Sequence, residues 1–225
     1  MTPFLAIDTS GGTSLAVVHN GQALAEIVID DPMGHSENIG QALVDVLHQA
    51  GLKPHELSAV VVGRGPAPFT GLRVGIAAAI AFAEGIGKPL LGVVSHDAIA
   101  RDFFASITDN DRAAIDSGSR LLVTTDARRK EVYWSLYSGL DSHGAPICVD
   151  GPNVDKPAEL IGLLDQKNVQ RITAEIALSA VSLAQVAAAH LGSGRQLNDV
   201  TALYLRAPDA VEPKAHGKFG KQVSS

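Results

Sequence analysis

The sequence predicts an α/β protein made of two copies of one strand-and-helix unit. Three observations carry that prediction. Short apolar, strand-like runs alternate with helical periodicities over most of the chain. The order β-β-β-α-β-α-β-α, read over the first hundred residues, begins again near residue 120. Each copy opens on an apolar strand that ends in an aspartate, Asp8 in the first and Asp126 in the second.

Taken in order, residues 4–9 form a strand that runs into Asp8-Thr9-Ser10-Gly11-Gly12. Strands 15–19 and 24–29 flank Asn20-Gly21, a pair that favours a tight hairpin because both residues tolerate positive φ. A helix over 36–50 places Ile39, Leu43, Val46, Leu47 and Ala50 at helical spacing and stops at Gly51. Strand 59–62 ends at Gly63, and a second helix covers 70–86, with Thr70 as N-cap and Gly87 closing it. Strand 90–94 leads to a third helix capped by Ser95. The polar stretch 108–119 reads as a linker. Strands 121–125, 132–137 and 147–149, helix 157–164, strand 171–174 and helix 177–191 then repeat the order. Residues 207–225, poor in apolar side chains and rich in Lys, Gly and Pro, read as a mobile tail. The expected division is therefore 1–107, 108–206 and a tail from 207 to 225.

Composition narrows the function classes. Of 225 residues, 46% are hydrophobic and 19% charged, which excludes intrinsic disorder. Lys and Arg total 18 against 24 Asp and Glu, a net charge of −6, so the chain as a whole does not grip nucleic acid by charge alone. The longest apolar run, residues 76–83, falls far short of the ~20 residues that a membrane span needs. Met-Thr-Pro-Phe-Leu at the start has neither the basic segment nor the cleavage site of a signal peptide. A single cysteine, Cys148, makes no disulfide framework. The expectation is a soluble cytoplasmic protein.

Three stretches could carry chemistry. Asp8-Thr9-Ser10-Gly11 suits a Mg²⁺-bound phosphate, because a strand fixes the acid and small residues let phosphate reach backbone N–H groups; it equally suits an Asp capping a turn. The matching place in the second copy is Asp126-Ala127-Arg128-Arg129-Lys130, without glycine, whose cations either bind phosphate or solvate a turn. Gly63 to Gly75 is a strand, a Gly/Pro-rich loop and a helix start able to hold an anion, although Pro66 and Pro68 remove two donors. In the helix that follows, Gly71, Gly75 and Ala79 line one face at spacing four. Such a helix either packs in its own core or meets another protein. His96 has Ala100 one turn later, so no His-x-x-x-His metal pair forms, and His35 stands before the first helix as a surface or capping residue. Gly-x-Ser-x-Gly, His-Glu-x-x-His and a Walker lysine are all missing, and the sequence offers no catalytic set.

Leu5-Ala6-Ile7-Asp8-Thr9-Ser10, the run from Gly65 to Gly75 with its Phe-Thr-Gly-Leu-Arg core, Asp126-Ala127-Arg128 with Glu131-Val132-Tyr133, and Tyr204-Leu205-Arg206-Ala207-Pro208 together resemble the bacterial TsaB (YeaZ) family over residues 4–208. That resemblance implies the actin-like ATPase fold of sugar kinases, Hsp70 and actin, with two tandem ribonuclease-H-like subdomains. It implies a non-catalytic paralogue of TsaD, the enzyme that puts a threonylcarbamoyl group on adenosine in tRNA. The chain is then a scaffold that pairs with TsaD, with the ATPase TsaE joining them and tRNA met only through the complex.

TsaD-like proteins carry a His-x-x-x-His metal pair at the place of His96, where Ala100 replaces the second histidine here. The family usually has Gly and Ser at Ala67 and Pro68, and a glycine-rich loop at residues 173–177. The expectation is thus no catalytic, metal or cofactor residue in the isolated chain, and a nucleotide only at the interface of the complex. The partner contact falls on Ile39, Leu43, Val46, Leu47, Gly71, Leu72, Gly75, Ala79 and Phe82, and the same helices offer a homodimer face. The rival readings are a small-molecule phosphotransferase using Asp8 and, from the family's older glycoprotease label, a metallopeptidase.

Overall fold

The computed structural model describes residues 3–29, 35–166, 171–173 and 178–206, and the expected tail 207–225 lies outside them. Strands β1 (Phe4–Asp8), β2 (Thr13–His19) and β3 (Gln22–Ile29) form an antiparallel meander. Its tight turn has Asn20 at φ 51° and Gly21 at φ 77°, the left-handed pair that a two-residue hairpin requires. Helix α1 (His35–Ala50), β4 (Ala59–Gly63), α2 (Phe69–Ile86) and β5 (Leu90–Val93) follow, with β4 parallel to both β1 and β5. The strand order is β3-β2-β1-β4-β5.

The second sheet repeats the scheme. Strands β6 (Arg120–Asp126), β7 (Val132–Leu140) and β8 (Pro146–Asp155) are antiparallel, α5 (Pro157–Gln166) follows, and β9 (Arg171–Thr173) lies parallel to β6. The order β8-β7-β6-β9 matches the first sheet with β6 in the place of β1. Two ribonuclease-H-like units in tandem make this the actin-like fold.

Strand alternation decides what lies on each face. On one face of the first sheet Leu5, Ile7, Leu15, Val17, Val60 and Val62 pack against α1 and α2. On the other, Ala6, Ala16, Val18, Val61 and Val93 pack against α6 (Ala180–Gly192), whose Ala184 and Ala187 allow close approach. Helix α6 thus comes from the second half of the sequence but covers the first sheet. Helix α3 (Ser95–Ala105) makes the reverse exchange, seating Ile99, Ala100, Phe103 and Phe104 on Leu121, Val123 and Tyr137. The boundary at 107/108 separates the two sheets but not the helices that cover them.

Local readings need four corrections. Residues 108–119 are not a linker: α4 (Asp109–Asp116) forms there, with the Thr108 hydroxyl accepting from the Asp111 N–H. Thr70 lies inside α2, whose N-cap is Pro68. Ser95 is the first residue of α3 rather than its cap, which is Val94. Helix α6 begins at Ala180, capped by the Ser179 hydroxyl. His35 is the first residue of α1, and its side chain lies outside what is described. By length and composition alone α2 could cross a membrane, but its Leu72, Gly75, Ile76, Ala79 and Ala83 are buried in the first core.

Candidate functional site

The loop ends of β1 and β4 meet the starts of α2 and α3, and Asp8 sits among them. Its carboxylate is only 1% exposed. Oδ2 accepts from Ser95 Oγ at 2.6 Å and Oδ1 from the Ser10 N–H at 2.6 Å. Ser95 Oγ in turn accepts from the Gly65 N–H at 3.1 Å and lies 2.8 Å from Ser10 Oγ. Gly63 is glycine because a Cβ there would lie 1.6 Å from Asp8 Oδ2. Helix α2 approaches just as closely, since a Cβ on Gly75 would fall 2.2 Å from Thr9 Oγ1, which donates to the Gly71 carbonyl at 2.8 Å. The Asp8 carboxylate is thus engaged by Ser95 and by the Ser10 N–H, and the Gly65 N–H by Ser95. Asp8 ties β1 to α3.

The turn from β6 to β7 takes the matching place in the second unit. Arg128, Arg129 and Lys130 hold left-handed backbone at φ 63°, 54° and 66°, a region that costs a non-glycine residue roughly 1–2 kcal/mol each. The Asp126 carboxylate accepts from the Arg128 N–H at 2.8 Å, and the Glu131 N–H donates to the Arg128 carbonyl at 3.0 Å. All three cationic side chains are exposed.

The segment 197–206, which sequence alone does not distinguish from a loop, straps the two units together. Asp199 pairs with Arg64 at 2.6 Å, and the Leu203 N–H donates to the Arg64 carbonyl at 2.8 Å. The Tyr204 ring lies 4.9 Å from Phe69 and its hydroxyl accepts from Arg73 Nε at 3.0 Å, while the Arg73 guanidinium sits 3.4 Å over the Phe69 ring. Arg206 then pairs with Glu131 of the second unit. A further tie is Tyr133, whose hydroxyl donates to the Ala67 carbonyl at 3.3 Å.

His96 is fully buried, with Nδ1 2.8 Å from Ser135 Oγ and Nε2 2.9 Å from Thr125 Oγ1. Burial lowers its pKa to about 3, so it stays neutral. Beside it Tyr137 donates to Asp97 at 2.7 Å, and burial, with Asp97 second, pushes that phenol well above its ordinary value. Both ring nitrogens of His96 are taken by hydroxyls of the second sheet. Among the described residues no group of three or more His, Cys, Asp and Glu is placed to hold a metal ion.

The nine residues expected at a partner interface divide. Ile39, Val46, Leu47, Leu72, Gly75 and Ala79 are buried in this chain's own first core, and a buried side chain presents nothing to a partner. Leu43, Gly71 and Phe82 are half-buried. The periodicity found the apolar stripes that face the sheet. What α1 and α2 turn outward is a different set: Val44, 61% exposed, and Ile80, 41% exposed, with exposed Ala77, Ala81 and Gly85 beside Arg73 and Glu84. Val44 was findable in the sequence, because it is an apolar residue off the buried stripe of an amphipathic helix.

Comparison with known proteins follows this geometry. Residues 30–202 match the family described as TsaD: tRNA N6-adenosine threonylcarbamoyltransferase. An uncharacterized Mycobacterium tuberculosis protein is 35% identical over 214 residues, covering 92% of each chain. The Escherichia coli tRNA threonylcarbamoyladenosine biosynthesis protein TsaB is 32% identical over 134 residues, 59% of this chain. The matched stretch spans 54% of that TsaB, and 40% of a Mycobacterium leprae relative that is 38% identical. YeaZ from Pseudomonas aeruginosa superposes with a TM-score of 0.70 at 24% identity, covering 91% of this chain and all of that one, which is a likeness of fold. The chain belongs to the TsaB/YeaZ family, within the wider family that the TsaD match describes.

Proposed function

We propose that this chain serves tRNA threonylcarbamoyladenosine biosynthesis as a non-catalytic subunit. It docks TsaD through the outward face of α1 and α2, works with the ATPase TsaE, and acts in the cytoplasm. One observation carries the reading: α2, in the core of a TsaB-family chain, keeps Ala77, Ile80 and Ala81 exposed, and α1, which packs against it, keeps Val44 exposed. Apolar side chains gathered on the outer face of a helix mark an interaction surface. Support for the non-catalytic part comes from Asp8, whose carboxylate is held by Ser95 and Ser10, and from His96, whose nitrogens are held by Ser135 and Thr125. The phosphotransferase reading has that engaged carboxylate against it. A nucleotide is then bound only where the complex builds a site.

The free chain uses the same face for a second copy. An antiparallel two-fold crossing of α2 on itself brings Arg73 opposite Glu84 and Ala77 opposite Ile80, small residues at the centre and opposite charges at the ends. TsaD competes with that pairing.

The test is reconstitution with TsaD and TsaE of the same organism. Transfer of the threonylcarbamoyl group to tRNA is measured with and without this chain, and the chain alone is assayed for ATP hydrolysis. Stimulation of TsaD by a chain that is inert alone is the expected result. Robust ATP turnover by the isolated chain, or full TsaD activity without it, would overturn the proposal.

A further inference from the structure

Helix α2 carries two charged side chains, Arg73 and Glu84. Arg73 is exposed and stands on the outward stripe, one turn before Ala77 and two before Ala81, with Phe69 one turn ahead of it. Its guanidinium is held from two sides. It lies 3.4 Å over the Phe69 ring, and Nε donates to the Tyr204 hydroxyl at 3.0 Å. Tyr204 is anchored in turn by the strap. The Leu203 N–H donates to the Arg64 carbonyl, Arg64 Nε donates to the Thr201 carbonyl at 2.9 Å, and Arg206 pairs with Glu131 of the second unit. Both units therefore fix one exposed cation on the docking stripe before any partner arrives.

Among the described residues Arg73 pairs with no carboxylate, and the Nε bond to Tyr204 is the one hydrogen bond its side chain makes. Glu84, on the same helix, is about 16 Å away along the axis. The Nη1 and Nη2 groups form a fork of donors, the shape that takes a carboxylate or a phosphate through two parallel hydrogen bonds. In the free chain water satisfies them. A partner that covers Ala77 and Ala81 also covers the turn before them and removes that water. A desolvated charge without a counter-charge opposes docking strongly, so the partner has to supply an acceptor. The neighbouring Ala77, Ile80 and Ala81 are apolar and the chain carries a net charge of −6, which favours a protein carboxylate over a nucleic-acid phosphate. Self-pairing of α2 offers such a group, since it sets Glu84 of the second copy opposite Arg73.

We infer that Arg73 determines the specificity of the docking face as a preset guanidinium that takes a carboxylate of TsaD, with Phe69 and Tyr204 as the residues that position it. The inference rests on the proposed function and adds the chemistry of the partner, an acidic side chain on the TsaD element that covers the first half of α2. Because the guanidinium is already stacked and hydrogen-bonded, less side-chain freedom is lost when the pair forms.

The test is calorimetric titration of TsaD with the full chain at low and high salt, for wild type, Arg73→Gln, Arg73→Lys and Tyr204→Phe. The same proteins are titrated into an unmodified tRNA transcript. Arg73→Gln should weaken TsaD binding by about ten- to hundredfold and flatten its salt dependence, because one partner of a desolvated charge pair is gone. Arg73→Lys keeps the charge but loses the fork and the stacking plane, and should recover only part of the loss. Tyr204→Phe keeps the ring but removes the hydrogen bond that orients Nε, and affinity should fall by about three- to tenfold. Melting temperatures should stay within a few degrees of wild type, since Arg73 and Tyr204 are both exposed. Wild-type affinity in folded Arg73→Gln would overturn the inference, and so would full rescue by lysine, which reduces the site to bare charge. Tyr204→Phe at wild-type affinity would overturn the positioning role. A loss of tRNA affinity with TsaD affinity intact would give the fork to phosphate and overturn the inference too. The docking reading is tested separately: if Val44→Asp, Ile80→Asp abolishes TsaD binding while Arg73→Gln leaves it intact, the inference fails alone. If wild type does not bind TsaD, the docking reading fails and takes the inference with it.

Discussion

Gly75→Ala should destabilise the protein, against the usual sign of that substitution in a helix. Alanine in place of a helical glycine ordinarily stabilises by about 0.8–1.0 kcal/mol. Here the new methyl would lie 2.2 Å from Thr9 Oγ1 and 3.0 Å from Thr9 Cγ2, and Thr9 is only 3% exposed. Either Thr9 leaves its rotamer and its 2.8 Å bond to the Gly71 carbonyl, or α2 shifts off β1. Overpacking costs about 1–3 kcal/mol and the lost hydrogen bond about 1 kcal/mol, leaving a net loss of roughly 1–3 kcal/mol.

A double-mutant cycle with Thr9→Ala isolates the cause. Once Thr9 is truncated the nearest of its atoms is Cβ at 3.2 Å, which a shift of a few tenths of an ångström accommodates. Adding Gly75→Ala to Thr9→Ala should therefore cost less than about 1 kcal/mol, a favourable coupling of roughly 1–2 kcal/mol. Urea unfolding of the four proteins, compared at equal m-value, gives the numbers. A Gly75→Ala protein more stable than wild type by the helix-propensity amount, with an additive double mutant, would refute the packing argument.

Two further outcomes follow from the buried polar groups. His96 has its folded pKa lowered to about 3 from an ordinary 6.5, so below pH 6.5 the unfolded chain binds the extra proton. Its contribution is complete above that pH and is lost towards pH 3 at up to about 1.4 kcal/mol per pH unit; His96→Asn should flatten the slope of stability between pH 6.5 and 5, and an unaltered slope would contradict the assignment. Ser95→Ala strips Asp8 of its 2.6 Å donor and the Gly65 N–H of its acceptor, and should lower stability by about 2–4 kcal/mol in thermal unfolding; a neutral change would contradict that role.

Much of the architecture was legible because periodicity and punctuation are local. Asn20-Gly21 forms the hairpin it calls for, and Gly51 and Gly87 follow the last residues of α1 and α2. Helix α4 was missed because Asp109 to Asp116 is polar and short, although Thr108 with Asp111 is a capping pair that a closer reading could use. The exchange of α3 and α6 between the sheets was invisible, since an apolar stripe does not say which sheet it covers. The same limit governs the site. The sequence marks Ile39, Val46, Leu47, Leu72, Gly75 and Ala79 as apolar helix faces, and the sheet beneath them claims all six. The strap at 197–206 shows in the sequence only as the Tyr204-Leu205-Arg206 family motif, because its role lies in partners more than 60 residues away, namely Arg64, Phe69, Arg73 and Glu131.

The central claim is that the outward face of α1 and α2 docks TsaD. Its most direct test is calorimetric titration of TsaD with the wild-type chain and with Val44→Asp, Ile80→Asp. Both side chains are exposed in the free chain, so the double variant should melt within a few degrees of wild type. Each apolar side chain buried in a contact is worth about 1.5–3 kcal/mol, and affinity should fall by about a hundredfold or more. A folded double variant that binds TsaD as tightly as wild type would contradict the claim.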